Sequence, residues 1–372
     1  MEFDESKKLG FGCMRFPKVG EEIDIEQVKR MFDIFLDSGF TYFDTAHVYH
    51  SGKSESVVRE CLTERYPREK FMLTTKLSTW NFEKEEDILP LFEQQLSDTG
   101  VEYFDYYLMH AQDREYYEKY KKCRAYEIAA ELKEQGKIKH LGISFHDNAE
   151  TLRKILSEQP AVEAVQIQFN YVDYLNPDVD GKGVYEVCRE FGKDIIVMEP
   201  VKGGYLANLP DEAKAALSEA GDGSPASFAM RYAAGFEGVK MVLSGMSSIA
   251  QVEDNVATMR DFKPLDEKEK AAVENARDLL VNMGRIECTA CRYCTDGCPA
   301  GIAIPDVFAL YNSKMCYRNW GTEEEYDKLT ERGGKASDCI GCGQCEGSCP
   351  QHLPIIELLK KASEKYDNRD KK

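Results

Sequence analysis

Eight of the chain's thirteen cysteines fall into two short runs near its end, and no other feature limits its folding so strongly. The first run reads Cys288-Thr-Ala-Cys291-Arg-Tyr-Cys294-Thr-Asp-Gly-Cys298-Pro299, the second Cys339-Ile-Gly-Cys342-Gly-Gln-Cys345-Glu-Gly-Ser-Cys349-Pro350. Both are C-x2-C-x2-C-x3-C-P. The first residues, Met-Glu-Phe-Asp-Glu-Ser-Lys-Lys, contain no apolar secretory segment, and no stretch approaches the ~18 apolar residues that span a bilayer. The chain is therefore expected in the cytoplasm, away from membranes. In that reducing setting, thiols spaced this closely point to metal rather than to disulfides. A zinc site would use four ligands and leave a third Cys and a Cys-Pro ending, each repeated twice, without a purpose.

The spacing resembles that of the bacterial dicluster ferredoxins. Three thiolates two residues apart can wrap one iron–sulfur cubane, with the backbone N–H groups between them turned toward its sulfurs, while the fourth Cys reaches the other cubane. That resemblance implies two [4Fe-4S] clusters, one on Cys288, Cys291, Cys294 and Cys349, the other on Cys339, Cys342, Cys345 and Cys298. So small a region has little core of its own, so the clusters are expected to help hold it together. Asp306-Val-Phe-Ala-Leu-Tyr and Glu323-Glu-Glu-Tyr-Asp-Lys-Leu, between the runs, read as helices. Residues 284–372 are thus expected to form a mostly helical ferredoxin-like domain.

Residues 1–283 have a different pattern. Short apolar runs at 9–13, 41–44, 71–76, 104–110, 138–144, 162–168, 194–199 and 240–245 alternate with amphipathic stretches at 26–38, 55–64, 84–98, 120–135 and 149–157. In the first of these stretches Val28, Phe32, Phe35 and Leu36 recur at helical spacing, and Gly39, Gly100, Gly136 and Gly192 stand where helices would end. Eight strands, each followed by a helix, predict a (β/α)8 barrel. An open doubly wound sheet is disfavoured, because no G-x-G-x-x-G follows an early strand. Residues 265–283 read as one more helix rather than a Gly/Ser/Pro tether.

In such a barrel the chemistry belongs at the C-terminal strand ends. There the sequence places Asp44, Tyr49, Lys76 and His110. A tyrosine hydroxyl can pass a proton to a carbonyl oxygen if its pKa is brought down from ~10, which a nearby ammonium does, with a carboxylate fixing that ammonium. A histidine can orient the carbonyl. The run Phe43-Asp-Thr-Ala-His-Val-Tyr49, with Gly52-Lys-Ser-Glu55 behind it, resembles the aldo/keto reductases. That resemblance implies Tyr49 as proton donor, Lys76 and Asp44 as its tuners, and His110 as the substrate-orienting group. It implies a nicotinamide dinucleotide, NADP(H) or NAD(H), with Ser144 and Gln166 reading the carboxamide and Met198 where an aromatic ring often stacks. The Asn that usually follows the serine is Phe145. The loop Leu243-Ser244-Gly245-Met246-Ser-Ser248 resembles the family's phosphate loop, with Gln251, Glu253 and Asn255 where adenosine is contacted. No Lys or Arg stands in 244–248 to hold a 2′-phosphate.

The expected function is reduction of an aldehyde or ketone by NAD(P)H, with the clusters exchanging single electrons with a carrier such as a ferredoxin or flavodoxin. A redox sensor or structural iron–sulfur protein, whose barrel binds nucleotide with little turnover, is the alternative. The net charge of −18 argues against nucleic acid as a partner. Cys13, Cys61, Cys123, Cys188 and Cys316 are expected to be inert buried thiols. Tyr116, Tyr117 and Tyr120 are expected either to wall the substrate pocket or to begin a helix.

Overall fold

A computed structural model describes residues 3, 4, 6–177, 179–317, 321–331 and 333–367. The chain divides into two compact units, one of residues 1–200 and 226–266, the other of 201–225 and 267–372.

The first unit is a closed barrel of eight parallel strands, β1 (Leu9–Gly12), β2 (Tyr42–Asp44), β3 (Met72–Leu77), β4 (Phe104–Gln112), β5 (Ile138–Phe145), β6 (Ala164–Gln168), β7 (Asp194–Met198) and β8 (Val239–Gly245). Each strand pairs with its sequence neighbour, and β8 closes onto β1 with Gly245 beside Gly12. A two-stranded ribbon, Lys18–Val19 against Glu22–Ile23, lies outside this sheet.

The two-residue period of a strand sorts side chains into an inner and an outer set. Tyr42, Met72, Tyr106, Leu108, Ala164, Ile196, Met241 and Leu243 form one buried inner cluster, with Phe3 stacked on Tyr106 at a centroid distance of 5.1 Å. Room for these large residues comes from glycine. A Cβ on Gly142 would lie 2.5 Å from Leu108 Cδ2, and one on Gly10 2.6 Å from Leu243 Cδ2. Two residues further along the same parity stand Asp44 after Tyr42, His110 after Leu108 and Gln166 after Ala164, with Lys76 four beyond Met72. One register thus packs the apolar interior and delivers polar groups to its C-terminal end.

Helix Ile25–Asp37 covers the barrel with Val28, Met31, Phe32 and Phe35, and begins where the Asp24 carboxylate accepts the Gln27 N–H. The single helix expected over 120–135 is two, Arg114–Lys122 and Ala125–Glu134, because Arg124 takes a left-handed conformation (φ 51°) between them. Strand β4 runs two residues past the expected His110, its register with β5 slipping between Met109 and Gln112 around Ala111 (φ 55°).

In the second unit, helix Glu267–Asn282 packs against Asp211–Ser218 through a face that includes Val273, Ala276 and Leu280. Helices Ile304–Tyr317, Thr322–Thr330 and Ile355–Tyr366 surround a small core of Ile302, Val307, Phe308, Leu359 and the stacked pair Tyr326–Tyr366. Among the described residues no helix is long and apolar enough to cross a membrane.

Candidate active site and cysteine cradles

Strand β2 ends in Asp44, β3 presents Lys76 and β4 presents His110, while Tyr49 stands on the turn that follows β2, its N–H donated to the Ala46 carbonyl. The ammonium of Lys76 holds the group together. It donates to Asp44 Oδ1 (2.6 Å), to the Thr45 carbonyl (2.9 Å) and to Tyr49 Oη (3.2 Å), and the side chain is wholly buried. A buried ammonium is tolerable only when its three donors are used, and here all three are. His110 meets Tyr49 edge to face with centroids 6.0 Å apart, and its Nδ1 shares a proton with Ser78 Oγ at 2.7 Å. That bond leaves Nε2 as the other polar edge of the ring.

The electrostatics displace two of these groups from their ordinary values. Burial, followed by the charge of Asp44, pushes the Tyr49 hydroxyl well above the ordinary phenol value, with Glu199 adding to the rise and Arg15 opposing it. The phenol therefore keeps its proton through the neutral range. Burial and the adjacent Lys76 charge likewise hold His110 well below the usual imidazole range, so it is neutral.

The residues expected to meet a nucleotide are placed as follows. Gln166 donates its amide to Asp44 Oδ2 at 2.9 Å, so it braces the carboxylate that holds Lys76. Ser144 is buried, its hydroxyl 3.4 Å from His146 Nε2. Met198 ends β7 half-buried, Met246 is buried, and the Ser244 hydroxyl accepts from Asn255 Nδ2 at 2.8 Å. Ser248 caps helix Ile249–Arg260 by accepting the Gln251 N–H, and the Gln251 side chain accepts the Ser247 N–H at 2.7 Å. Glu253 is exposed on that helix. The side chain of Arg15 lies against Gly245, where a Cβ would be 3.0 Å from Arg15 Cδ, and Ser247 Oγ donates to the Arg15 carbonyl.

In the second unit the two cysteine runs interleave. One cavity is lined by Cys288, Cys291, Cys294 and Cys349, and another by Cys298, Cys339, Cys342 and Cys345. The lining divides the cysteines as the crossed arrangement would. Burial first, then the neighbouring thiols Cys291, Cys288 and Cys349, push the Cys294 thiol up to about 12. Four thiolates so close need a positive centre, and the donor set, soft sulfur four times over, fits an iron–sulfur cubane.

A model of the aldo/keto reductase family matches residues 8–278. The chain belongs to that family. Residues 287–354 match a 4Fe-4S dicluster domain. A Glycine max protein named "Probable aldo-keto reductase 1" is 30% identical over 218 residues, 54% of this chain and 58% of its own length. An aldo-keto reductase of Strobilurus tenacellus is 28% identical over 54% of this chain and 59% of its own. The chain thus spans less than two thirds of each of these relatives. The holo form of an aldo-keto reductase of Bacillus halodurans superposes with a TM-score of 0.61 at 25% identity, covering 72% of this chain and 91% of that one. A Klebsiella pneumoniae aldo-keto reductase in complex with NADPH gives 0.57 at 18%, a likeness of fold, covering 72% and 90%.

Other residues of this aldo/keto reductase barrel surround the four, and of these Trp80 carries no local sequence signal. Trp80 meets both His110 and Tyr116 edge to face, at 5.6 and 5.9 Å, while Tyr117 and Tyr120 are buried in their helix. Tyr120 donates to the His110 carbonyl at 2.9 Å and so anchors the strand end. Glu55, fully buried, accepts from Thr75 Oγ1 (2.7 Å) and Gln95 Nε2 (3.0 Å) and pairs with His47 Nδ1 (2.8 Å). His47 thus has a packing partner, as does His50, whose ring stacks on Phe16. Cys13, Cys61, Cys123 and Cys188 are buried with thiols raised by burial, whereas Cys316 lies outside the described side chains.

Proposed function

We propose that the barrel reduces an aldehyde or ketone, with Tyr49 as proton donor, and that the cysteine cradles hold two [4Fe-4S] clusters. The observation that carries the first part is the ammonium of Lys76 bonded at once to Asp44 and to Tyr49 Oη. Because Lys76 donates to the phenol oxygen, the phenol's own proton is free to point at a substrate oxygen. As that proton leaves, the ammonium stabilises the tyrosinate, in a site where charges interact more strongly than in water. The neutral His110 would orient the carbonyl. A nicotinamide dinucleotide would supply the hydride to the carbonyl carbon, and Tyr49 the proton to its oxygen, giving the alcohol. The loop after β8, with the Ser248 cap and Arg15 against Gly245, would receive the dinucleotide's phosphates. Clusters in the cradles would supply single electrons, exchanged with a carrier such as a ferredoxin or flavodoxin.

The test is anaerobic purification followed by a carbonyl-substrate screen with NADH and NADPH. Absence of turnover with either, in iron-replete protein that binds nucleotide, would favour the sensor alternative. Because loop 244–248 holds no cation, and a charge-assisted bond contributes about 1.5–3 kcal/mol, preference for NADPH over NADH is expected to stay below about a hundredfold. Titration of both nucleotides measures it, and a thousandfold preference would place a basic residue on the 2′-phosphate.

The pH profile follows from the two displaced groups. Tyr49, raised, remains protonated until above the ordinary tyrosine value of ~10. His110, lowered, remains neutral until well below ~6.5. The rate of carbonyl reduction should therefore be level between these limits, whereas a bell centred near neutrality would assign the proton to another group.

A further inference from the structure

The two cradles lie in different electrostatic surroundings within the second unit. Beside the first, Glu287 immediately precedes Cys288, and its Oε2 is 2.9 Å from the ammonium of Lys202, whose side chain is 1% exposed. Lys202 is delivered by the turn Lys202–Ala207, and the fit there is tight. Gly203, at φ 65°, lies so close to the strand of chain after Cys288 that a Cβ would sit 2.6 Å from the Thr289 carbonyl oxygen. The same turn supplies Tyr205, whose ring carries the Arg285 guanidinium at 3.1 Å, and the charge of Arg285 bears on the Cys288 thiol. Arg292, between Cys291 and Cys294, is paired with Asp306. Beside the second cradle stand Asp338, before Cys339, and Glu346, after Cys345, whose charge also bears on Cys349, while Asp296 lies between Cys294 of one cradle and Cys298 of the other. Its rim is also open, with Cys342 exposed and Ile340 72% exposed.

Reduction of a cluster adds a negative charge, so a cation nearby favours the reduced form and an anion the oxidised one. The effect is greatest where water does not screen it. Lys202 meets that condition, being almost wholly buried and paired with Glu287, the residue next to a candidate ligand. We propose that Lys202 sets the reduction potential of the cluster on Cys288, Cys291, Cys294 and Cys349, and leaves the other cluster untouched. Removing the ammonium leaves Glu287 uncompensated beside Cys288, which disfavours the added electron. The ion pair is thus an adjustable charge built into one of the two sites. The inference rests on the reading that the cradles hold clusters, and iron content tests that reading separately.

The experiment is an anaerobic redox titration of the full chain followed by electron paramagnetic resonance, with iron and sulfide assayed on each sample. Lys202→Met should lower one of the two midpoints and leave the other in place. Lys202→Arg should restore it. Glu287→Gln, which keeps the cation, should raise the same midpoint, and the double variant should fall between. If wild-type protein lacks iron for two clusters, the cluster reading fails and this inference with it. If iron is present and neither Lys202→Met nor Glu287→Gln moves a midpoint, or both midpoints move together, the inference alone is overturned. Should Lys202→Met lose iron, Glu287→Gln still decides, since it leaves Lys202 and its packing in place.

Discussion

Tyr49→Phe protein, replete in iron and still binding nucleotide, is expected to reduce carbonyls about 10²–10⁴-fold more slowly than the native chain, the range that general acid catalysis contributes. The substitution removes one oxygen from a buried ring and leaves the ring's edge contact with His110 available. It also deprives Lys76 of one of three acceptors, while Asp44 Oδ1 and the Thr45 carbonyl remain. The fold should tolerate the change, so a fall in rate reports chemistry. Steady-state kinetics beside a nucleotide-binding titration would measure it, and unchanged carbonyl reduction would remove Tyr49 from the proposed role.

Lys76→Met is the harsher change and the less clean one. It strands the Asp44 carboxylate in the barrel, with Gln166 still donating to its other oxygen. Breaking a buried ion pair from one side costs about 3–5 kcal/mol, so stability should fall along with activity. A thermal melt separates the two effects. If the barrel melts as the native chain does while activity disappears, Lys76 acts on Tyr49 rather than on the fold.

How much of this was legible beforehand depended on whether a residue's role follows from local spacing. Asp44, Lys76 and His110 were found because the strand period and the apolar runs together say which residues reach the C-terminal end. The closed parallel barrel follows from eight such runs in alternation with helices. Arg15, Trp80 and Lys202 are not legible in the sequence, since each meets a neighbour distant in the chain: Gly245, His110 and Glu287. Nothing beside them in the chain announces that partner. The break at Arg124 escaped because it uses an arginine in a left-handed conformation where a glycine would have been readable. Residue types near Tyr49 are visible in the sequence, but the depth of burial that raises its hydroxyl is not.

Cys349 offers the sharpest test of the crossed arrangement. It lies 58 residues beyond Cys291 in the chain, yet lines the cavity formed by Cys288, Cys291 and Cys294, and not the one formed by its own run. A Cys349→Ala protein is therefore expected to lose or degrade the cluster of the first run, with iron falling from about eight toward about four per chain. The cluster on Cys339, Cys342, Cys345 and Cys298 should persist. Cys298→Ala should do the reverse, although it sits in the first run. Because the core between the cradles is small, and Cys288, Cys298, Cys339 and Cys349 pack against it, either loss should also lower the unit's melting temperature. Spectra of the two variants distinguish the cases: with crossing, each retains the signal that the other lacks, and the retained cluster is the one beside the mutated residue in sequence. Were each variant to lose the cluster of its own run, the cradles seen in the cavities would not be the ligand sets, and the assignment of Lys202 to one of them would have to be redrawn.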